Sequence, residues 1–205
     1  MRHKRLQACL ENHPRLEHCA EDIEGTFDLL RQCFEQGGKL LLCGNGGSAA
    51  DSDHIAGELL KGFGSNRPLS TEWREKLGDS LADNLQAGLP VIPLTGFNAL
   101  STAYANDCDG DYTFAQLTFA LGQTGDVMLG ISTSGNSANI LHAAQTARAM
   151  EMTAIGLTGK SGGKLAGLVD CCIRVPASVV WEVQELHLPV YHALSLMLED
   201  HFFGE

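Results

Sequence analysis

Short apolar runs alternate along the chain with segments whose apolar residues recur every three or four positions. Runs without a polar alternation are typical of strands that are buried on both faces of a parallel sheet. The runs lie at residues 39–43, 91–94, 127–131, 154–157 and 171–175. Between most of them lie helix-period segments, for example 138–150, and the last segment, 182–203, is again helical in period. Strands that alternate with helices predict an α/β fold with a parallel sheet.

The chain before the first run has a helical period of its own. Its apolar residues form one stripe, with Pro14 predicted near the helix start and Gly37–Gly38 at its end. We therefore expect residues 1–37 to form an N-terminal helical segment that packs on the domain or on another subunit. Residues 38–205 are expected to form the domain itself.

A polar stretch at 64–88 interrupts this pattern between the first two predicted strands. It contains Trp73, Leu77, Leu81 and Leu85 at intervals of four, which predicts a small amphipathic helix after a loop. A solvated flap is the simplest interpretation of such an insertion.

Composition and charge restrict the function classes. The chain has 205 residues, 44% of them hydrophobic, which fits one globular domain, and its formal net charge of −11 disfavours binding to nucleic acid or to an anionic membrane surface. No apolar run approaches the roughly 20 residues that span a bilayer. The seven cysteines show no paired CxxC spacing, which favours reduced thiols and a cytoplasmic location over a disulfide framework.

A cluster of hydroxyl side chains follows the third predicted strand, where a helix is expected to begin. The cluster comprises Ser132, Thr133, Ser134 and Ser137, around Gly135. Hydroxyls, backbone N–H groups and the helix dipole together suit a phosphate monoester. The alternative is simple N-capping, but a cap needs one hydroxyl and this loop offers four.

A glycine-rich loop, 44–48 (GNGGS), occupies the same position after the first strand, and His54 and Glu58 follow it. The loop matches neither a dinucleotide fingerprint nor a Walker loop. The i,i+4 spacing puts His54 and Glu58 on one helix face, where they could hold a metal or act as a base and its orienting group. A chance pair on a solvated helix is the alternative.

Three further groups are weaker candidates. Gln184, Glu185, His187 and His192 form a polar cluster in the apolar C-terminal segment, where a histidine is more often a core residue than a ligand. Asn106–Asp107 is expected in a loop, where it could bind sugar hydroxyls or simply form a turn. Cys171–Cys172 lies in the last predicted strand and is expected to be core.

Taken together, the glycine loop with His54 and Glu58, the hydroxyl loop, and Gln184–Glu185-x-His187 with His192 resemble the phosphoheptose isomerases of the sugar isomerase (SIS) superfamily. The resemblance covers nearly the whole chain after its first dozen residues. It implies a five-stranded parallel sheet between helices, a homotetramer, and conversion of sedoheptulose 7-phosphate to D-glycero-D-manno-heptose 7-phosphate. That product leads to the heptose of lipopolysaccharide core or other surface glycans.

The resemblance also implies residue roles. It makes Glu58 the base and His192 the acid of an enediol mechanism, with Zn²⁺ to polarise or position the sugar oxygens. The zinc ligands would be His54, Glu58, Gln184 and His192. The residues that would contact the substrate are Asn45, Gly46, Gly47, Ser48, Glu58, Asn106, Asp107, Ser132, Thr133, Ser134, Ser137 and Gln184.

The spacing of the last two ligands raises a geometric question. Gln184 and His192 are eight residues apart, a rise of about 12 Å along an unbroken helix. They reach one metal only if Pro189 breaks the helix or if one of them comes from an adjacent subunit, and we expect the second.

Two other functions remain open on the sequence alone. A non-catalytic SIS sensor of phosphosugars, or a regulator that binds a replication initiator, would keep the hydroxyl loop but would not need His54, Glu58, Gln184 and His192 together. An isomerase of another sugar phosphate would keep both. The apolar 179–181 segment and the long 64–88 insertion depart from the expected family pattern and leave substrate detail open.

Overall fold

Five parallel strands form the centre of the protein in a computed structural model that describes residues 2–204. Met1 and Glu205, the outer ends of the two predicted segments, lie outside the described residues. The strands are β1 Leu40–Gly44, β2 Val91–Pro93, β3 Val127–Ser132, β4 Thr153–Thr158 and β5 Cys171–Arg174. The helices are α1 Lys4–Asn12, α2 Ala20–Glu35, α3 Gly47–Leu59, α4 Thr71–Leu77, α5 Asp79–Ala82, α6 Asn98–Asp107, α7 Thr113–Leu121, α8 Ala138–Ala149 and α9 Val180–Phe203.

The strand order is β2-β1-β3-β4-β5, which confirms the predicted parallel sheet. The chain leaves β1 toward one edge of the sheet to form β2 and returns to place β3 on the other side of β1. This reversal makes the carboxyl ends of β1 and β3 the topological switch point, where open α/β sheets bind ligands.

Alternate residues of the strands belong to two hydrophobic cores, one on each face of the sheet. In β1, Leu40 and Leu42 pack with α1, α2, α3 and α9, whereas Leu41 and Cys43 pack with α7 and α8. Both faces of the central strands are therefore buried, which explains why their sequences read as continuous apolar runs.

The N-terminal segment is helical as predicted, but it is divided. A 3-10 helix, Pro14–Cys19, separates α1 from α2, because proline suits the first turn of a helix and ends a preceding one. Leu6, Leu16 and Ile23 are fully buried in the core that α9 shares. The division of the chain at residues 37 and 38 stays a prediction.

The C-terminal helix α9 is continuous from Val180 to Phe203 with Pro189 inside it. The alternative in which Pro189 breaks the helix is therefore wrong. Proline lacks one N–H, but the buried residues on both sides, Leu186 and Val190, hold the helix against the core. Among residues 2–204, no helix is both long and apolar enough to cross a membrane.

Two other expectations also need correction. Asn106 and Asp107 form the last turn of α6 rather than a loop, and the chain leaves the helix at Cys108. The pair thus ends a helix instead of forming a turn of its own. Cys171 and Cys172 are only half-buried, because β5 is an edge strand with a neighbour on one side.

The insertion at 64–88 contains two short helices, α4 and α5, in place of one amphipathic helix. Gly78, with φ of +78°, divides them. Its ends are tied together, since the Ala87 N–H donates to the Arg67 carbonyl at 2.8 Å. Trp73 and Leu81 remain more than half exposed, in agreement with a solvated flap.

A buried ion pair joins the start of this insertion to the core. The Arg67 guanidinium is fully buried and donates from Nε to Glu199 Oε1 at 2.8 Å. Its two other nitrogens donate to the carbonyls of Leu59 (2.8 Å) and Glu58 (3.1 Å) at the end of α3. Arg67 therefore caps the C-terminus of α3, where a cation is favourable.

Glu199 is satisfied by more than this arginine. Its two carboxylate oxygens also accept the backbone N–H groups of Phe63 (2.9 Å) and Gly64 (2.8 Å). Burial alone would raise the pKa of Glu199, but these hydrogen bonds and Arg67 outweigh it and hold that pKa below its ordinary value.

We predict that Arg67→Met lowers the free energy of unfolding by about 3–5 kcal/mol, because it leaves the Glu199 carboxylate buried without its cation. Chemical denaturation monitored by circular dichroism measures this loss. The matched control is Arg74→Met, which removes the exposed ion pairs to Asp79 and Asp83 and should cost less than about 1 kcal/mol. Equal losses in the two variants would contradict the assigned role of Arg67.

Candidate functional site

Two loops lie side by side at the switch point, one between β1 and α3 and one between β3 and α8. They are neighbours because Gly44, the last residue of β1, pairs with Ile131 near the end of β3. Gly46, with φ of +56°, makes the turn into α3, in a backbone conformation that favours glycine. Both predicted loops are confirmed as strand-to-helix turns.

The hydroxyl loop does not use its side chains to cap α8. Ser137 is the N-cap residue, yet its side chain forms no capping hydrogen bond and instead lies 3.2 Å from Ser132 Oγ. Ser134 is exposed, and its Oγ accepts the N–H of Asn136 at 3.2 Å. Thr133 is half-buried and its carbonyl accepts the N–H of Gly159. The N-capping alternative therefore does not account for these four hydroxyls.

Gly135 allows this loop to approach its neighbour. Its φ is +65°, and a Cβ on it would overlap the backbone carbonyl of Gly162. The N–H of Leu165 donates to the Gly135 carbonyl at 3.0 Å, so the loop is fastened to the turn that follows β4. Close backbone packing thus fixes the position of the hydroxyls.

Side-chain contacts connect the glycine loop to the helices around it. Asn45 and Asn139 exchange two amide hydrogen bonds of 2.9 Å, which tie the glycine loop to α8. A Cβ on Gly47 would lie 2.6 Å from Gln184 Nε2, so the Gln184 amide packs directly on the first turn of α3. Ser48 is buried in that turn.

The structure brings His54, Glu58 and His192 together. Glu58 Oε1 lies 2.8 Å from His54 Nε2 and 3.4 Å from His192 Nε2. Glu58 is only 5% exposed, whereas His54 is on the open side of the cluster. His192 reaches this position from α9, and the ring of Phe63 packs against it with centroids 5.3 Å apart.

The environment of this carboxylate is electrostatically unusual. Burial raises the pKa of Glu58, and the nearby His54 only partly offsets that rise. Burial, followed by the proximity of His54, lowers the pKa of His192. A carboxylate and an imidazole whose pKa values move toward each other suit proton transfer near neutral pH.

The same cluster has a donor set that could hold a metal ion. Ligand atoms of His54, Glu58 and His192 all lie within 4.8 Å of one another. Among the residues that the structure describes, Glu58 Oε2 and His192 Nε2 are buried without a hydrogen-bond partner. Two imidazole nitrogens and a carboxylate are typical zinc ligands, and unpartnered buried polar atoms are what a metal would satisfy.

Two residues that the sequence analysis did not identify lie on the Nδ1 side of His54, away from Glu58. The Tyr191 hydroxyl lies 3.0 Å from His54 Nδ1 and donates to Asp51 Oδ1 at 3.2 Å. Neither Asp51 nor Tyr191 belongs to the glycine loop, the hydroxyl loop or the polar cluster of the C-terminal segment. The only signal is positional, since Asp51 precedes His54 by one helical turn and Tyr191 precedes His192 directly.

Several other candidates lie outside this cluster. Asn106 and Asp107 are exposed on α6, where the Asn106 amide donates to the Asp107 carboxylate at 2.9 Å. Glu185 is exposed on α9. His187 is fully buried, with its pKa lowered to about 4 by burial, in agreement with a core histidine.

Comparison with known proteins gives a consistent result. The family model "SIS domain" matches residues 7–74 and 82–159, and the interval between them falls inside the insertion. A phosphoheptose isomerase of Shewanella denitrificans is 42% identical over 87% of this chain and 83% of its own length. One of Thiobacillus denitrificans is 44% identical over 90% and 86%, respectively.

Solved structures agree with the sequence relatives. The structure of a phosphoheptose isomerase from Neisseria gonorrhoeae superposes with a TM-score of 0.77 at 32% identity, over 95% of this chain and 94% of that chain. A Vibrio vulnificus protein complexed with ManNAc-6P superposes with a TM-score of 0.59 at 14% identity over 97% of this chain and 61% of its own, which shows a shared fold alone.

We predict that Gly135→Ala lowers the free energy of unfolding by more than about 1 kcal/mol, since alanine is disfavoured at positive φ and its Cβ would overlap Gly162. Thermal unfolding measures the loss, and added inorganic phosphate should raise the midpoint less than in the unchanged protein. The matched control is Gly57→Ala, which has no atom within 4 Å of the new Cβ and lies inside α3. A Gly135→Ala protein as stable as this control would contradict the close approach.

Proposed function

The chain belongs to the SIS-domain family and, within it, to the phosphoheptose isomerases, and on that premise we propose which of its residues bind and isomerise the sugar. It is an aldose–ketose isomerase that converts sedoheptulose 7-phosphate to D-glycero-D-manno-heptose 7-phosphate. The observation that carries the site assignment is the buried Glu58 between His54 and His192.

The hydroxyl loop holds the phosphate group in this proposal. Ser132, Thr133, Ser134 and Ser137 surround the start of α8, and their side chains are not engaged in capping it. Backbone N–H groups at a helix start and the helix dipole favour an anion. This local field allows an acidic protein, with a net charge of −11, to bind an acidic substrate.

The sugar extends from there toward the glycine loop. Asn45, Gly46, Gly47 and Ser48 line its start, and Gln184 lies against Gly47. Asn45 already forms a bidentate pair with Asn139, so a sugar hydroxyl would add to that pair or replace one of its bonds. Asn106 and Asp107, exposed on α6, are kept as candidates for sugar contacts.

Glu58 moves the proton. Isomerisation of the ketose removes a proton from C1, gives an enediol, and returns a proton to C2, while the C2 oxygen gains a proton and the C1 oxygen loses one. Burial raises the pKa of Glu58 toward the range in which a carboxylate is an effective base. His192, 3.4 Å from it, is placed to exchange the oxygen proton.

The donor set also fits a zinc ion, held by His54, Glu58, His192 and Gln184. A zinc ion bound there would polarise the sugar oxygens and make the neighbouring C–H proton easier to remove. The orphaned atoms Glu58 Oε2 and His192 Nε2 support this assignment.

Because α9 is continuous, the position of Gln184 relative to the metal site depends on how the chains assemble. His192 and Gln184 are separated by a rise of about 12 Å on this unbroken helix, so the Gln184 ligand of each site comes from an adjacent chain in the proposed homotetramer. Exposed apolar side chains beside Gln184 support such a contact: Val180 is 57% exposed and Trp181 is 59% exposed.

The proposed biological setting is cytoplasmic heptose synthesis for lipopolysaccharide core or another surface glycan. A non-catalytic phosphosugar sensor or a regulator of replication is not favoured, because the curated relatives are named as isomerases and the chain has His54, Glu58 and His192 in one cluster. An isomerase of a smaller sugar phosphate would share the site, and it is distinguished by comparing ketose phosphates as substrates.

We predict that Glu58→Gln lowers kcat at least about 100-fold, because the amide keeps the size of the side chain but cannot accept the proton. The assay incubates sedoheptulose 7-phosphate in deuterated water and follows deuterium at C2 of the aldose. The matched control is Glu185→Gln, an exposed carboxylate on α9 that should leave the rate unchanged. Near-normal exchange in Glu58→Gln would mean that another group is the base.

We predict that mixing Glu58→Gln with Gln184→Ala restores activity once subunits exchange. Random mixing should give about one quarter of the wild-type rate, because some sites then combine an intact Glu58 from one chain with an intact Gln184 from another. Glu58→Gln mixed with His192→Ala is the control and should recover nothing, since those residues meet within one chain. Recovery in the control, or none in the test, would contradict the cross-chain proposal.

A further inference from the structure

A buried hydroxyl connects the two helices that carry the catalytic cluster. Tyr191 on α9 is 3% exposed, and its hydroxyl lies between Asp51 and His54, both on α3. The distance from the hydroxyl oxygen is 3.0 Å to His54 Nδ1 and 3.2 Å to Asp51 Oδ1. On the other side of the imidazole, His54 Nε2 faces Glu58.

The number of protons available to Asp51, Tyr191 and His54 limits which of these groups can donate and which can accept. A phenol hydroxyl has one proton to donate and an oxygen that can accept. The hydroxyl donates that proton to Asp51 Oδ1. Its oxygen can then only accept from His54, which places a proton on Nδ1 and turns the Nε2 lone pair toward a metal beside Glu58 and His192.

We propose that Tyr191 and Asp51 are positioning residues that fix the ring orientation of His54 through the tyrosine hydroxyl. The proposal deepens the metal site and rests on the proposed function. A histidine ligand commonly donates its second ring N–H to a carboxylate or carbonyl, and here the tyrosine relays that donation to a carboxylate.

The hydroxyl, rather than the ring, carries this role. The Tyr191 ring contacts the His54 and His192 rings edge-on, with centroids 5.4 and 5.2 Å apart, and a phenylalanine would keep both contacts. Asp51 depends on the hydroxyl as well, since its Oδ2 is buried with no partner among residues 2–204. Removal of a single oxygen atom thus separates positioning from packing.

The test compares Tyr191→Phe with the unchanged protein in zinc affinity, measured by competition with a chelator. We expect a 10- to 100-fold loss of affinity, which is typical of lost partners of metal-bound histidines. The rate constant kcat should fall with it, while KM for the sugar phosphate changes little, because the hydroxyl loop is untouched. Asp51→Asn combined with Tyr191→Phe should lose no more than Tyr191→Phe alone, since both act on one proton.

The control is Tyr112→Phe, an exposed tyrosine stacked on His142, which should keep wild-type zinc affinity and activity. A metal-free measurement separates this proposal from the metal assignment. In ¹⁵N–¹H spectra of the metal-free protein, the His54 ring should show the shifts of the Nδ1–H tautomer, and Tyr191→Phe should move these shifts toward an average of the two tautomers.

Failure of the unchanged protein to bind zinc would contradict the metal site and leave the ring signals to decide the role of Tyr191. Wild-type zinc affinity in Tyr191→Phe, or unchanged His54 ring shifts in that variant, would overturn the positioning role.

Discussion

The parallel pairing of β1 with β3 is the constraint on which the rest of the site depends. Adjacent strands lie about 4.8 Å apart, so the loops that leave them must be neighbours. The pairing of Gly44 with Ile131 sets those loops level with each other. The glycine loop then starts α3 and the hydroxyl loop starts α8, so this register places the starts of the two helices beside each other.

Two buried carboxylates on the same pair of helices show how the chain separates chemistry from stability. Glu199 has a guanidinium and two backbone N–H groups, and its pKa is lowered. Glu58 has the imidazoles of His54 and His192 beside it, one oxygen without a partner among residues 2–204, and a raised pKa. The Arg67 guanidinium contacts both residues. It pairs with the Glu199 carboxylate, but at Glu58 it binds the backbone carbonyl and not the carboxylate. The cation therefore stabilises the helix end without pairing with the Glu58 carboxylate.

Local patterns in the sequence predicted the strands and the two loops. The features that these patterns missed depend on contacts between residues that are far apart in the sequence. The strand from Val127 to Ser132 and the helix from Ala138 were foreseen nearly to their ends, because continuous apolar runs and helical periods are local signals. Tyr191 and Asp51 are 140 residues apart, and nothing near either residue indicates their contact. Pro189 suggested a possible break for the same reason, but burial of the surrounding helix outweighs its local preference.

The hydrogen bond between Ala87 and Arg67 closes the insertion at its base, where its two ends already meet. A segment closed in this way adds length to the chain without changing the path of the sheet on either side. Loop-closure entropy also grows only slowly with length, so neighbouring lineages can lengthen, shorten or replace the segment at little thermodynamic cost. The insertion can therefore change in length and sequence at less cost than the strands or the helices α3 and α9 to which Arg67 joins it.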